Sequence, residues 1–295
     1  MTQAERRTYL ITALLKEQPR YSGLEASQDQ EEQKKLLRAL FNVRMPMPAE
    51  DGFLAIQDAY LQEEIRRKGI TDLEDLSPIQ EGLYLWQGDI TTLRCDAIVN
   101  AANSQMLGCF CPCHGCIDNA IHTFAGVQLK CARIMERQGR EEPAGRAKIT
   151  PAYNLPCRYV LHTVGPIVHG GLTEADEKLL ASCYRSCLEL AEENQVKSLA
   201  FCCISTGEFH FPNERAAEIA VRTVREYRKR TSGEMKVIFN VFKDRDYEIY
   251  RRIFGAGCPI EAGNCRCRRG GHRGRSRTVR FRRVCIQRGE VPEVF

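Results

Sequence analysis

The chain lacks any apolar run approaching the roughly 20 residues needed to cross a bilayer. No secretory leader is expected either, because MTQAERRTYL mixes charges with apolar residues and has neither a long uncharged core nor a small-residue cleavage site. These absences exclude a membrane-spanning or exported class and predict a cytoplasmic protein. Net charge is scarce too, once the C-terminus is set aside. Ten arginines against Glu261, Glu290 and Glu293 give residues 256–295 a charge of +7, leaving −2 for the rest of a chain whose total is +5. The Gly/Arg/Cys-rich tail carries no aromatic interleaving of the kind that stacks bases. It is therefore expected to be a basic, disordered end rather than a surface for nucleic acid or an acidic partner.

Cysteine, by contrast, is plentiful: fifteen in 295 residues. With no export signal, reduced thiols are the default, buried as small hydrophobes or bound to metal. Cys183 and Cys187 stand one helical turn apart, and Cys202 and Cys203 lie in a strand-like run, so these four are assigned to the core. A hydrophobic content of 43% with 27% charge is that of an ordinary globular protein. The length suits one large α/β domain plus an extension.

Residues 1–80 read as a helical N-terminal extension. LLRALF and FLAIQDAYLQEEIRRKG carry apolar residues at helical spacing, and Pro46 and Pro48 break the chain between them. From residue 83 the pattern changes to short β-branched or aromatic runs: LYLWQGDI, DAIVNAAN, RYVLHTVGP, SLAFCCIS and KVIFNVFK. Helical stretches separate them. One is expected from near Asp118 through IHTFAGVQLKCARIMERQG. A second opens with Thr173 and Asp176 in capping-box spacing, and a third follows Asn213 as its N-cap. Alternating strands and helices predict a layered α/β domain over residues 81–255, with ligands held by loops at the strand ends.

Four segments at those positions carry chemistry. In QGDIT, Asp89 at a strand end can accept from the exocyclic amine of a purine, although Gly88-Asp89 alone is only a turn. DAIVNAAN ends in Asn100 and Asn103 around two alanines, which lets a sugar approach the backbone while amides fix its hydroxyls. The stretch GCFCPCHGCIDNAIH places Cys109, His114 and Cys116 in one loop. Two thiolates and an imidazole suit zinc, and three protein ligands leave a coordination position open for chemistry. Spacing alone leaves equal room for a closed structural site that adds Cys111 or Cys113. Finally, CCISTGEFHFP presents Ser205, Thr206 and Gly207 after a strand, where successive amides suit a diphosphate.

In this order, GDIT, DAIVNAAN, CIDNAIH and STGEFHFP over about residues 83–245 resemble the macrodomain family. The Cys-His-Cys loop that replaces the usual glycines resembles its zinc-dependent branch, as does the helical extension. The resemblance implies a three-layer α/β/α macrodomain with a mixed central sheet. Asp89 and Ile90 would hold adenine, and Asn100 and Asn103 would line the distal-ribose side of the cleft. Ser205, Thr206, Gly207, Glu208 and Phe209 would wrap the diphosphate and distal ribose, while Cys109, His114 and Cys116 would bind Zn2+. The implied activity is hydrolysis of mono-ADP-ribose from protein side chains, chiefly acidic ones. An implied partner is a lipoyl carrier protein modified by a sirtuin-type ADP-ribosyltransferase. The expected mechanism combines Lewis acidity at the distal ribose or a nearby water with Asn103 fixing ribose hydroxyls and Asp118 orienting or deprotonating the water. Asp118 has a competing role as the N-cap of its helix, and His122 is read as a core or supporting group. The alternative function is an ADP-ribose reader with a structural zinc. Cys111, Cys113 and the arginine-rich tail depart from the family pattern.

Overall fold

The structure, a computed structural model, describes residues 1–21, 23–24, 26–130, 141–231 and 233–255. The expected tail, 256–295, lies outside the described residues. The described residues belong to one compact unit. Seven α-helices are present among the described residues: α1 Gln3–Glu17, α2 Gln30–Val43, α3 Asp51–Lys68, α4 Ile117–Ala125, α5 Glu174–Glu193, α6 Asn213–Arg230 and α7 Asp244–Gly255. The strands are β1 Thr71–Asp72, β2 Pro78–Gln80, β3 Leu83–Gln87, β4 Leu93–Arg94, β5 Ala97–Ala102, β6 Ala147–Pro151, β7 Tyr159–Val164, β8 Ser198–Phe201 and β9 Lys236–Val241.

Seven strands form one mixed sheet in the order β2-β3-β9-β8-β5-β7-β6, and β1 pairs with β4 separately. The outer strands β2 and β6 are antiparallel to their neighbours, and the five inner strands run parallel. Inner parallel strands are covered on both faces, which explains why Ala97, Ile98, Val99 and Asn100 are buried in succession without alternation. The helices around the sheet complete the three-layer α/β/α macrodomain architecture.

Two hydrophobic cores result. The larger joins the sheet to α5, α6 and α7 and takes in Cys183, Cys187 and Cys202 as expected, with Cys203 half-buried against it. The smaller belongs to the extension: Leu10, Ile11 and Leu14 of α1, Leu37, Leu40 and Phe41 of α2, and Phe53, Tyr60 and Leu61 of α3 meet there, with Val127 inserted from the main domain. Helix α1 starts in a capping box between Thr2 and Glu5.

The five expected strands all form, while β6 and the short β1, β2 and β4 were not anticipated. Thr173 and Asp176 make the expected capping box. Two helix ends differ from expectation. Asn213 is the first helical residue behind Pro212, and its side chain donates instead to Asp246 Oδ1 at 2.7 Å. Helix α4 stops at Gly126 instead of continuing unbroken, and the part of the expected helix over residues 131–139 lies outside the described residues. Gly126 has φ 102° and ψ 172°, a conformation essentially reserved for glycine. A Cβ there would also lie 2.6 Å from Gln128 Oε1 and 2.7 Å from Gln57 Nε2.

All five parallel strands end on the same side, which brings Asp89, Asn103, Gly165, Ser205 and Phe242 to one edge of the sheet. The connections from β5 and β8 leave in opposite directions along the sheet, β5 towards β7 and β8 towards β9. Ligands of such sheets bind where the direction reverses, and here the loops after β5 and β8 meet at that point, with Glu208 approaching His114.

Gly126→Ala should destabilise the fold by about 1–3 kcal/mol through backbone strain. The denaturant midpoint measures this, and an unchanged midpoint would show that the turn relaxes freely.

Candidate functional site

The floor of the site is laid by strand register. Asn100 on β5 is the register partner of His162 on β7. Asn100 Nδ2 lies 3.1 Å from His162 Nδ1 and donates to Asp118 Oδ1 at 2.7 Å. Since Nδ1 accepts from Asn100, His162 carries its proton on Nε2, which meets Thr150 Oγ1 at 2.9 Å. Burial holds the His162 pKa down to about 4, so the ring is neutral. The result is a buried chain, Thr150–His162–Asn100–Asp118, that fixes one carboxylate oxygen. Asn100 is wholly buried, so it supports Asp118 from below rather than lining the open cleft, and its Oδ1 has no hydrogen-bond partner.

Asp118 is not the helix cap. Cys116 takes that position, its Sγ accepting from Asn119 N–H at 3.4 Å. This leaves Asp118 in the first turn of α4 with 5% of its surface exposed. Burial pushes its pKa up to about 7, opposed by the Asn100 hydrogen bond and reinforced by the charge of Cys109. His122, one turn further, has Nε2 3.4 Å from Asp118 Oδ1, yet neither ring nitrogen makes an aligned hydrogen bond. Burial and the neighbouring His162 hold His122 neutral, so the contact is not an ion pair. Gly108 packs directly on that ring: a Cβ there would be 2.8 Å from His122 Cγ.

Above this floor, Cys109, His114 and Cys116 bring their donor atoms within 4.8 Å of one another, the one such group of three among the described residues. Cys109 Sγ lies 3.6 Å from His114 Nδ1. The Cys116 thiol, above all, and the imidazole lower the Cys109 pKa to about 5, while Cys116 itself is raised. The four cysteines of the loop thus separate into two kinds. Cys109 and Cys116 are half-buried and converge, whereas Cys111 and Cys113 are exposed. Cys113 turns away altogether, with φ 54° and its Sγ directed to Lys35 O at 3.3 Å.

The facing loop follows β8. Ser205 adopts φ 64°, is buried, and has an unpartnered Oγ. A Cβ on Gly165 would sit 2.0 Å from that Oγ, so the glycine after β7 makes room for it. Thr206 Oγ1 donates to Cys203 O and Val168 N–H to Phe209 O, which tie this loop down, while Gly207 is open to solvent. The Glu208 carboxylate approaches His114, with Oε1 3.6 Å from Nε2. Asn103 uses its amide locally, donating to Gly108 O at 2.9 Å and accepting from Met106 N–H at 3.0 Å. At the far end, Asp89 accepts from Thr91 N–H, Thr91 Oγ1 and Lys68 Nζ, the last at 2.8 Å. Burial would raise the Asp89 pKa, but the Lys68 and Thr91 bonds outweigh it and hold the carboxyl ionised. The Ile90 side chain is buried in the core, leaving only its backbone for a ligand.

Residues 99–220 match the model of the Macro domain. A protein-ADP-ribose hydrolase of Treponema medium is 60% identical over 259 residues, covering 86% of this chain and 99% of the relative. A protein-ADP-ribose hydrolase of Staphylococcus aureus strain MRSA252 is 50% identical over 250 residues, covering 83% of this chain and 94% of the relative. The chain belongs to the macrodomain family of protein-ADP-ribose hydrolases. The crystal structure of a Trypanosoma brucei macrodomain in complex with ADP-ribose is also similar, at 30% identity and a TM-score of 0.57, covering 73% of this chain and 94% of that one.

In this macrodomain several residues around the site escaped the sequence motifs. Lys68, the last residue of α3, lies 3.3 Å over the Phe124 ring and pairs with Asp89. Lys130 is buried, donates to Asn42 O and to Arg44 O at 2.9 Å, and is lowered by burial to about 8. Arg38 and Asn42 of α2 bond the loop 109–116. Phe242, 75% exposed, stands at the end of β9 beside Gln87. Of these, only Phe242 had a local signal, an aromatic just past an apolar strand.

Asp118→Asn should remove a pH dependence of stability. A carboxyl raised in the folded state binds more protons there than when unfolded, so the metal-free wild type loses stability as pH rises from about 4 to 7. The slope is at most about 1.4 kcal/mol per pH unit. Unfolding of the wild type and the variant across that range should converge at low pH; identical pH profiles would refute the raised carboxyl.

Proposed function

We propose that this macrodomain is a zinc-dependent hydrolase that removes mono-ADP-ribose from protein side chains, acidic ones above all. The observation that carries this reading is the convergence of Cys109, His114 and Cys116 beside the buried carboxyl of Asp118. Two thiols and an imidazole, with one thiol already favoured as thiolate, are the donor chemistry that zinc selects. Three donors rather than four also fit an open site better than a closed one. Bound there, the metal would supply Lewis acidity next to the distal ribose.

The chain's own residues account for the rest. Asp89 accepts from the adenine amine, with the Ile90 backbone beside it and the exposed Phe242 ring at the same strand-end edge offering an apolar face. The turn of Ser205, Thr206, Gly207 and Phe209 receives the diphosphate, and the spare hydrogen-bonding capacity of the Asn103 amide meets the ribose. Asp118, titrating near neutrality and aimed by Asn100, orients a water and takes its proton, then returns it to the departing group. Water is thereby split across the ester between the distal ribose and a side-chain carboxyl, releasing ADP-ribose and the restored acid. The partners are ADP-ribose and a mono-ADP-ribosylated protein, with a lipoyl carrier modified by a sirtuin-type transferase as the implied case. No helix among the described residues is long and apolar enough to cross a membrane, and a cytoplasmic location completes the proposal.

Metal content and release of ADP-ribose from a mono-ADP-ribosylated, ester-linked substrate test this directly. Wild type should hold one zinc per chain. Cys116→Ala should lose the metal and at least about a hundredfold in turnover, the scale of the several kcal/mol a Lewis acid supplies, while still binding ADP-ribose. Chelation should act in the same way; unfolding instead would favour a structural zinc, and equal turnover would exclude a catalytic one. Asp89→Ala should weaken ADP-ribose about tenfold or more through loss of a charged hydrogen bond to the base. An unchanged Kd would remove Asp89 from the adenine site.

A further inference from the structure

The loop that carries the three donors spans residues 109–116 and has no regular secondary structure of its own. Ordering such a segment costs about 1–2 kcal/mol per residue, so something outside it must hold its shape. Within the loop, His114 N–H donates to Cys111 O at 3.2 Å. Further anchors come from α2, from Asn119 of α4 and from Lys130.

Arg38 donates to His114 O at 3.0 Å through Nη2, and to Asn119 Oδ1 through Nη2 at 2.8 Å and Nε at 3.1 Å. Asn119 is wholly buried and passes this grip on, with Nδ2 donating to Cys111 O at 3.0 Å and its backbone N–H to Cys116 Sγ. One turn along α2, Asn42 Oδ1 accepts from Cys113 N–H at 2.9 Å, and its Nδ2 donates to Thr123 Oγ1 of α4 at 3.0 Å. The carbonyl of Asn42 receives Lys130 Nζ, which lies 4.2 Å from the Phe110 ring centroid. The loop is thus tethered at residues 110, 111, 113, 114 and 116. Helix α2 in turn is seated by Leu37, Leu40 and Phe41 in the extension's own core.

We infer that α2 is the structural half of the metal centre: Arg38 and Asn42 are positioning residues that hold loop 109–116 in its metal-binding shape. Metal binding and docking of the helical extension therefore stabilise each other. The inference rests on the proposed zinc site and goes beyond it by making the extension part of that site. Coupling of this kind is reciprocal, so any affinity that Arg38 contributes to the metal is returned as stability of α2. Lysine is therefore expected not to replace Arg38. The guanidinium fork serves two acceptors in fixed geometry, whereas an ammonium on a flexible stem cannot reproduce the pair.

The test uses the full chain with zinc ions alone and no ADP-ribose. Competition with a chromophoric chelator gives the zinc Kd for wild type, Arg38→Met, Arg38→Lys and Asn42→Ala, and hydrogen exchange is followed in α2 with and without zinc. Arg38→Met and Asn42→Ala should weaken zinc about 10- to 100-fold, the range for residues that orient ligands from behind, and Arg38→Lys should not restore it. In wild type, zinc should slow exchange of the α2 amides, and the effect should shrink in Arg38→Met. A folded Arg38→Met that binds zinc within twofold of wild type would overturn the inference. So would α2 exchange in wild type that ignores zinc, a readout that stands even if the variants fail to fold. A wild type that takes up no zinc would instead sink the metal site itself, and the coupling with it.

Discussion

The hydrogen bond from Asn100 to Asp118 is the interaction on which the rest of the site depends. A carboxyl buried to this degree is costly as an anion unless donors are waiting for it. Asn100 supplies one such donor from the middle of the sheet, and its own orientation is set by His162 on the neighbouring strand and by Thr150 beyond it. Those three residues occupy β5, β7 and β6, so the position of the acid is a property of strand register. A one-residue slip of β5 would turn Asn100 to the other face and leave Asp118 without its partner.

The same register explains the shape of the cleft. Because β5 and β8 are neighbours whose following connections diverge, the thiol-bearing loop and the Ser205 loop are brought face to face without contact between their parent strands' ends being specified locally. The His114–Glu208 approach is the direct trace of this arrangement. On the other flank, the end of α3 delivers Lys68 to Asp89, so the helical extension touches the site at both ends: at the Asp89 carboxylate and at the loop 109–116.

Much of this was legible in sequence. The five apolar runs became β3, β5, β7, β8 and β9, and the proline-marked break between α2 and α3 falls where Pro46 and Pro48 predict. Cys109, His114 and Cys116 converge as their spacing suggests, and the exposed Cys111 and Cys113 do not join them. Other features were hidden for identifiable reasons. The α4 stop at Gly126 depends on the glycine's conformation and on Gln57 and Gln128 crowding it, which periodicity does not register. Asp118 lost its capping role because a thiol, an unusual cap, took the position two residues earlier.

The sequence by itself determined the order of the five inner strands, the family, and the local clusters of chemistry, because each of these is written within a few residues of chain. Hydrophobic periodicity and turn residues act over one or two turns of helix or one strand, and a contiguous motif carries its own donors with it. Only the tertiary structure decided what those donors lean on. Arg38 and Asn42 reach the loop 109–116 across 76 and 71 residues, Lys68 reaches Asp89 across 21, and Asn100 finds His162 across 62. Such contacts leave no periodic signal, since a side chain on an amphipathic helix looks solvated until packing decides what covers it.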